Sequence, residues 1–133
     1  MQPKSIKLRL TILILCHLCL ATLAVAGKWE RLGEREATDK LDHDTIVVTS
    51  ARGDFVAIKL TVHKRSVTFH RVVVHFRKGG DQEIEIHKNI PADGETRVID
   101  LRGGDRVIHS VDFWYEAKSL GGKKAVVKLW ARN

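Results

Sequence analysis

Two small sets of side chains in this sequence have the types and spacing that binding chemistry could use. Arg97, Asp100 and Arg106 fall within one short stretch, and Trp114 and Trp130 stand out among few aromatic residues. Arginine and aspartate at facing positions of adjacent strands form a bidentate pair that fixes register and turn geometry. Guanidinium groups free of that duty would clamp a carboxylate, a sulfate or a sugar acid. Indole faces pack against the apolar faces of sugar rings. Trp114 is out of phase with Val111, Phe113 and Tyr115, and Trp130 with Val127 and Leu129. If those sets face a core, both indoles face outward, and on neighbouring strands they would form a glycan platform. The structural alternative is an indole packed at an edge, under a loop or under the segment carrying Trp29. The ligand-binding candidates are therefore Trp114, Trp130, Arg97 and Arg106.

Metal and catalytic chemistry find less support. Asp42-His43-Asp44 is compact, but successive residues of a strand cannot all point at one ion. His70 and His75 have opposite parity unless a bulge intervenes, and His63, His87 and His109 are scattered. A zinc site wants tighter ligand pairs at a defined spacing, so no metal and no cofactor is expected. His109, in line with Val107, Val111 and Phe113, reads as a partly buried, hydrogen-bonded imidazole. There is no G-x-S-x-G elbow and no glycine loop leading into a helix. Ser66, Ser110 and Ser119 have no local partner that would activate a nucleophile. Glu83 and Glu85 share a strand face, as a glycosidase would need, but so do carboxylates on any solvated face. Arg52-Gly53-Asp54 spells an adhesion tripeptide in a place where a turn wants glycine and aspartate anyway.

The elements that would position these residues are strands. Val56, Ile58, Leu60 and Val62 alternate with Ala57, Lys59, Thr61 and His63, and Val107 to Tyr115 alternates likewise, the mark of strands with one buried face. Ile46–Val48, Glu83–His87, Arg97–Leu101 and Ala125–Trp130 follow the same rule, and no window shows a helical period. From Val67 to Phe76 the parity changes. Either a β-bulge near His70-Arg71 puts Val67, Phe69, Val72, Val74 and Phe76 on one side, or the strand is buried on both faces at Val72-Val73-Val74. Turns are expected at Arg52-Gly53-Asp54, Lys78–Asp81, Ala92–Glu95, Arg102–Asp105 and Leu120–Lys123, with a further hairpin closed by His63–Ser66. The polar stretch 33–44 reads as a loop. About eight strands without crossover helices predict an all-β antiparallel sandwich or jelly roll.

Ahead of this domain, residues 1–26 read as an N-terminal signal peptide. Lys4, Lys7 and Arg9 precede the apolar run Leu10–Leu23, and Ala24-Val25-Ala26 offers small residues for cleavage before Gly27. The apolar core is short for a span of about 20 residues, so a membrane would be met only through an uncleaved signal. Cleavage removes Cys16 and Cys19, which makes residues 27–133 a single disulfide-free domain. It also removes three of the 23 Lys+Arg and none of the 16 Asp+Glu, lowering the net charge from +7 to +4. That charge is interspersed, which argues against a nucleic-acid partner and gives weak steering toward anionic surfaces.

Trp29, Leu32-Gly33, Asp44-Thr45-Ile46 and Phe55–Leu60, then Gly94–Gly104 and Arg106-Val107-Ile108 with Val111, Phe113 and Tyr115, resemble a family of small exported bacterial proteins with no assigned function. The resemblance is strongest from Gly94 to Tyr115. It implies a periplasmic or secreted β-sandwich and carries over no catalytic residue. The functional expectation is a non-catalytic binding or structural module of the cell envelope, its partner an envelope glycan, a polyanion or another protein. The rivals are a small carboxylate-dependent hydrolase and a self-associating or partner-docking envelope protein.

Overall fold

The computed structural model describes residues 27–37, 41–117 and 124–133. The leader 1–26 and the turn at Leu120–Lys123 lie outside the described residues. Nine strands are described: β1 (Trp29–Ala37), β2 (Asp42–Val47), β3 (Asp54–Phe55), β4 (Ala57–His63), β5 (Val67–Phe76), β6 (Asp81–Ile90), β7 (Ile99–Asp100), β8 (Arg106–Ala117) and β9 (Ala125–Arg132). They form two antiparallel sheets, one ordered β1-β9-β4-β7 and the other β2-β8-β5-β6, with β3 adding to β8 beside β2. The apolar sets of the two sheets meet in one core. Leu60, Val62, Leu129 and Val127 from the first sheet close on Phe69, Val72, Phe113 and Tyr115 from the second, all fully buried.

The fold is thus the predicted all-β antiparallel sandwich, and several local expectations are corrected. Most of the stretch 33–44 is strand rather than loop, because β1 runs to Ala37 and β2 begins at Asp42. Its polarity follows from position: β1 and β2 are edge strands, and edges carry charge. Gly33 lets these edges approach across the sandwich, since a Cβ there would lie 2.8 Å from Ile46 Cγ2. His63–Ser66 closes no hairpin either. It carries the chain from β4 in one sheet to β5 in the other, with Lys64 at φ 72°.

The parity change in β5 resolves as a bulge between Phe69 and Arg71. It brings Val67, Phe69, Val72, Val74 and Phe76 into the core, while Val73 is buried on the opposite face. A second irregularity, at His75/Phe76 against Ile108 and Ser110, leaves His109 as an extra residue in β8. Ile108 therefore faces the core in place of Val107, and His109 is exposed rather than partly buried.

Candidate functional site

The two outer faces of the sandwich carry different chemistry. On the five-stranded sheet, β8 is flanked by β2 and β5, so a residue of β8 has neighbours on both sides. Trp114 stacks on His43 with ring centroids 4.3 Å apart and planes 5° from parallel. Arg71 covers the ring from the other strand at 4.7 Å, and its guanidinium donates to Glu83 at 2.6 Å. Imidazole, indole, guanidinium and carboxylate thus form one continuous cross-strand row, and the faces of Trp114 are occupied by the protein itself.

Two residues along β8, Asp112 anchors a second row. Its carboxylate accepts from the Thr45 hydroxyl, from His75 Nε2 at 2.6 Å and from His43 Nε2 at 3.3 Å. His75 Nδ1 lies 2.8 Å from Asp81, so both its ring nitrogens face carboxylates. The Asp112 and Asp81 hydrogen bonds hold the His75 pKa above the ordinary imidazole value. Burial pushes Asp112 up, but the hydrogen bonds from Thr45, His75 and His43 outweigh it and leave the carboxyl below its ordinary value. Among the described residues, no three histidine, cysteine, aspartate or glutamate side chains are placed to hold a metal ion.

Tyr115 Oη, on the inner face of β8, donates to Asp44. Burial and then that carboxylate raise its pKa well above the ordinary phenol value. Asp42-His43-Asp44 is thereby divided, with His43 on the outer face and Asp44 turned to the Tyr115 hydroxyl.

Arg106 is likewise used by the fold. Its guanidinium lies 3.8 Å from the Phe76 ring and donates to the carbonyls of Arg102 and Lys78, each at 2.6 Å. It ties the Lys78–Asp81 and Arg102–Asp105 turns together. Arg97 lies elsewhere, exposed in the segment before β7, beside a groove of about 180 Å3 whose lining includes Glu85, Ile86 and Ile90. Arg97, Asp100 and Arg106 form no ion pair with one another.

Trp114 and Trp130 are also apart, on the outer faces of different sheets, so no platform unites them. The reason is topological: β8 and β9 follow each other in sequence but belong to opposite layers.

The outer face of the four-stranded sheet instead joins Trp130 to Trp29. Trp29 pairs with Arg132 and Arg31 with Trp130, while Lys59 of β4 faces Trp130 from the other side. The Lys59 ammonium lies 4.5 Å and the Arg132 guanidinium 5.1 Å from the Trp29 ring centre. Trp130 Nε1 donates to Thr61 Oγ1 at 2.9 Å, which fixes the indole's orientation. Both indoles are half-buried. Further along the same strands, Glu34, Glu36, His63, Val126 and Lys128 line an open concavity of about 530 Å3. Trp29, Lys59 and Arg132 were not among the sequence candidates. The signal available was the parity of Lys128, Trp130 and Arg132, but pairing β1 with β9 needs contacts between the two ends of the domain.

Fold and site together define a class: a two-layer antiparallel β-sandwich with one outer face closed by its own side chains and one bearing a pair of indoles beside a concavity. A protein-family model described as "Domain of unknown function (DUF2541)" matches residues 10–131, and the chain belongs to that family. No curated protein matches the sequence. Among solved structures, the fold is similar to part of AlgX from Pseudomonas aeruginosa, with a TM-score of 0.52 and 15% identity. The similarity covers 78% of this chain and 26% of the AlgX chain, and it is a likeness of fold.

Proposed function

We propose that this protein is an exported, non-catalytic binding module of the bacterial envelope, periplasmic or extracellular, that takes a glycan on the outer face of β1, β9 and β4. The observation that carries this reading is the placement of Trp29 and Trp130 on one face, with the Trp130 ring oriented by Thr61 and the concavity beside it. The Trp130 indole, fixed in this way, offers an apolar surface to a sugar ring at little entropic cost. The basic leader, apolar run and small-residue cleavage site support export.

The remaining polar groups favour binding over catalysis. His75 has both ring nitrogens engaged, so Ser110 across from it in β8 meets no free base. Glu83 is held by Arg71, which removes one member of the carboxylate pair that a hydrolase would use. Among the described residues the exposed large apolar side chains are Leu41 and Val47, at the two ends of β2, and Val98, too few for the broad apolar patch that partner docking would want.

The test is amide shift mapping of residues 27–133 titrated with soluble neutral and acidic oligosaccharides. The expected result is perturbation of Trp29, Lys59, Thr61 and Lys128–Arg132 together with protection of indole fluorescence from acrylamide. Perturbation confined to the Trp114 face, or none with any glycan, would overturn the proposal.

A further inference from the structure

The charges around the two indoles are unevenly matched, and this bears on which glycan the face accepts. β9 presents Lys128, Trp130 and Arg132 outward in succession. Alternate residues of a strand stand about 7 Å apart, so a cation sits on either side of the Trp130 ring within one sugar's reach. The acids of this face are already engaged. Glu34, directly opposite Lys128, turns to Arg31 at 3.6 Å, Glu36 is 3.9 Å from Lys124, and Glu95 is 3.1 Å from Lys59. Glu30, on the other side of β1, is taken by Arg52 at 2.8 Å. Among the described residues, no carboxylate forms an ion pair with Lys128 or Arg132.

An indole between two cations without counter-charge recognises a ring that is apolar on its face and anionic at its rim. Resting on the glycan-binding reading above, we infer that the ligand is an acidic polysaccharide, one sugar ring lying on Trp130 with anionic substituents on Lys128 and Arg132. A neutral glycan would keep the stacking and leave both cations unanswered. A polyanion without sugar rings would keep the charge and lose the stacking. The requirement for both sets this face apart from a merely basic surface.

Polygalacturonate and its methyl ester test this directly, because they share a backbone and differ in charge. Calorimetric titration of residues 27–133 in low salt would compare wild type with Lys128→Gln, Arg132→Gln, Trp130→Ala and the off-face control Arg97→Gln. Polygalacturonate is expected to bind about tenfold or more tighter than the ester, a difference that falls with added salt. Lys128→Gln and Arg132→Gln should each weaken polygalacturonate several-fold more than they weaken the ester, and so reduce that preference. Arg97→Gln should change neither polymer, and Trp130→Ala should weaken both.

Equal binding of the two polymers, with Trp130→Ala weakening both, would overturn the acidic preference and leave the glycan face standing. A preference that Arg97→Gln lowers as much as Arg132→Gln would reduce it to net charge and overturn the inference. Binding of neither polymer would remove the inference together with the reading beneath it.

Discussion

At the scale of single residues, His75 sets a pH dependence whose direction follows from its partners. Its folded pKa is raised by Asp112 and Asp81, so protonation favours the native state. The stabilisation is complete below the unfolded imidazole value of about 6.5 and is lost as pH rises through the raised native value. Asp112 behaves in the opposite sense. Its lowered pKa contributes stability above the unfolded carboxyl value of about 3.9, lost as pH falls through the native one. These two groups together favour the range between about pH 4 and 6.5. His75→Gln should flatten the loss of stability that sets in above about pH 6.5 and cost about 1 kcal/mol near pH 5.5, read by urea unfolding at each pH. An imidazole proton titration at the ordinary value in the wild type would contradict this.

The two glycines of the β5–β6 turn give a second residue-scale comparison. Gly79 and Gly80 both have positive φ, at 89° and 80°. A Cβ on Gly80 meets nothing within 4 Å, whereas one on Gly79 would lie 2.5 Å from the Arg106 guanidinium. Gly80→Ala should cost about 1–2 kcal/mol from backbone strain alone. Gly79→Ala should cost about 1 kcal/mol more, because Arg106 must give up a carbonyl to make room. Thermal unfolding of the two variants measures that difference, and equal costs would mean the guanidinium is not pinned.

At the scale of elements, the strands were legible wherever apolar residues alternated without interruption. β4 is the plainest case, since Ile58, Leu60 and Val62 are all fully buried. The Val67–Phe76 segment showed its change of parity because apolar residues stood on both sides of the break. A bulge and burial on both faces satisfied that pattern equally, and only the strand pairing decides for the bulge. The bulge in β8 gave no such sign: Val107 and Ile108 are both apolar, and either phase satisfied the pattern. Only the pairing of Phe76 with Ile108 decides between them. Ile108→Ala should therefore cost about 2–4 kcal/mol and Val107→Ala under about 1 kcal/mol, measured by chemical denaturation. The reverse order would restore the regular alternation. The sheet assignment of each strand was not legible. His63–Ser66 is short enough for a hairpin, and nothing local reveals that it changes layers.

At the scale of the whole molecule, the glycan-binding proposal assigns stability to one outer face and recognition to the other. Trp114 is packed between His43 and Arg71, so Trp114→Ala should lower stability by about 1–2 kcal/mol while leaving polysaccharide binding intact. Trp130→Ala should do the converse, reducing binding by about an order of magnitude or more with a smaller loss of stability. Calorimetry and thermal melts of both variants distinguish the faces, and loss of binding in Trp114→Ala would place the ligand on the other sheet.

The pairing of β1 with β9 has a kinetic meaning. Trp29 lies against Arg132, so the sheet that carries the indole pair joins the two ends of the described fold. Joining them requires closure of a loop of about a hundred residues, whereas the β5–β6 hairpin needs only a tight turn. Pairings of such sequence separation form late, and the Trp29–Trp130 face is then among the last surfaces to be assembled. A chain that has collapsed around β5, β6 and β8 but not yet received β1 would hold much of its core and none of this face. Appearance of ligand affinity during refolding would accordingly lag the burial of Phe113 and Tyr115, making recognition a report that the chain has finished folding.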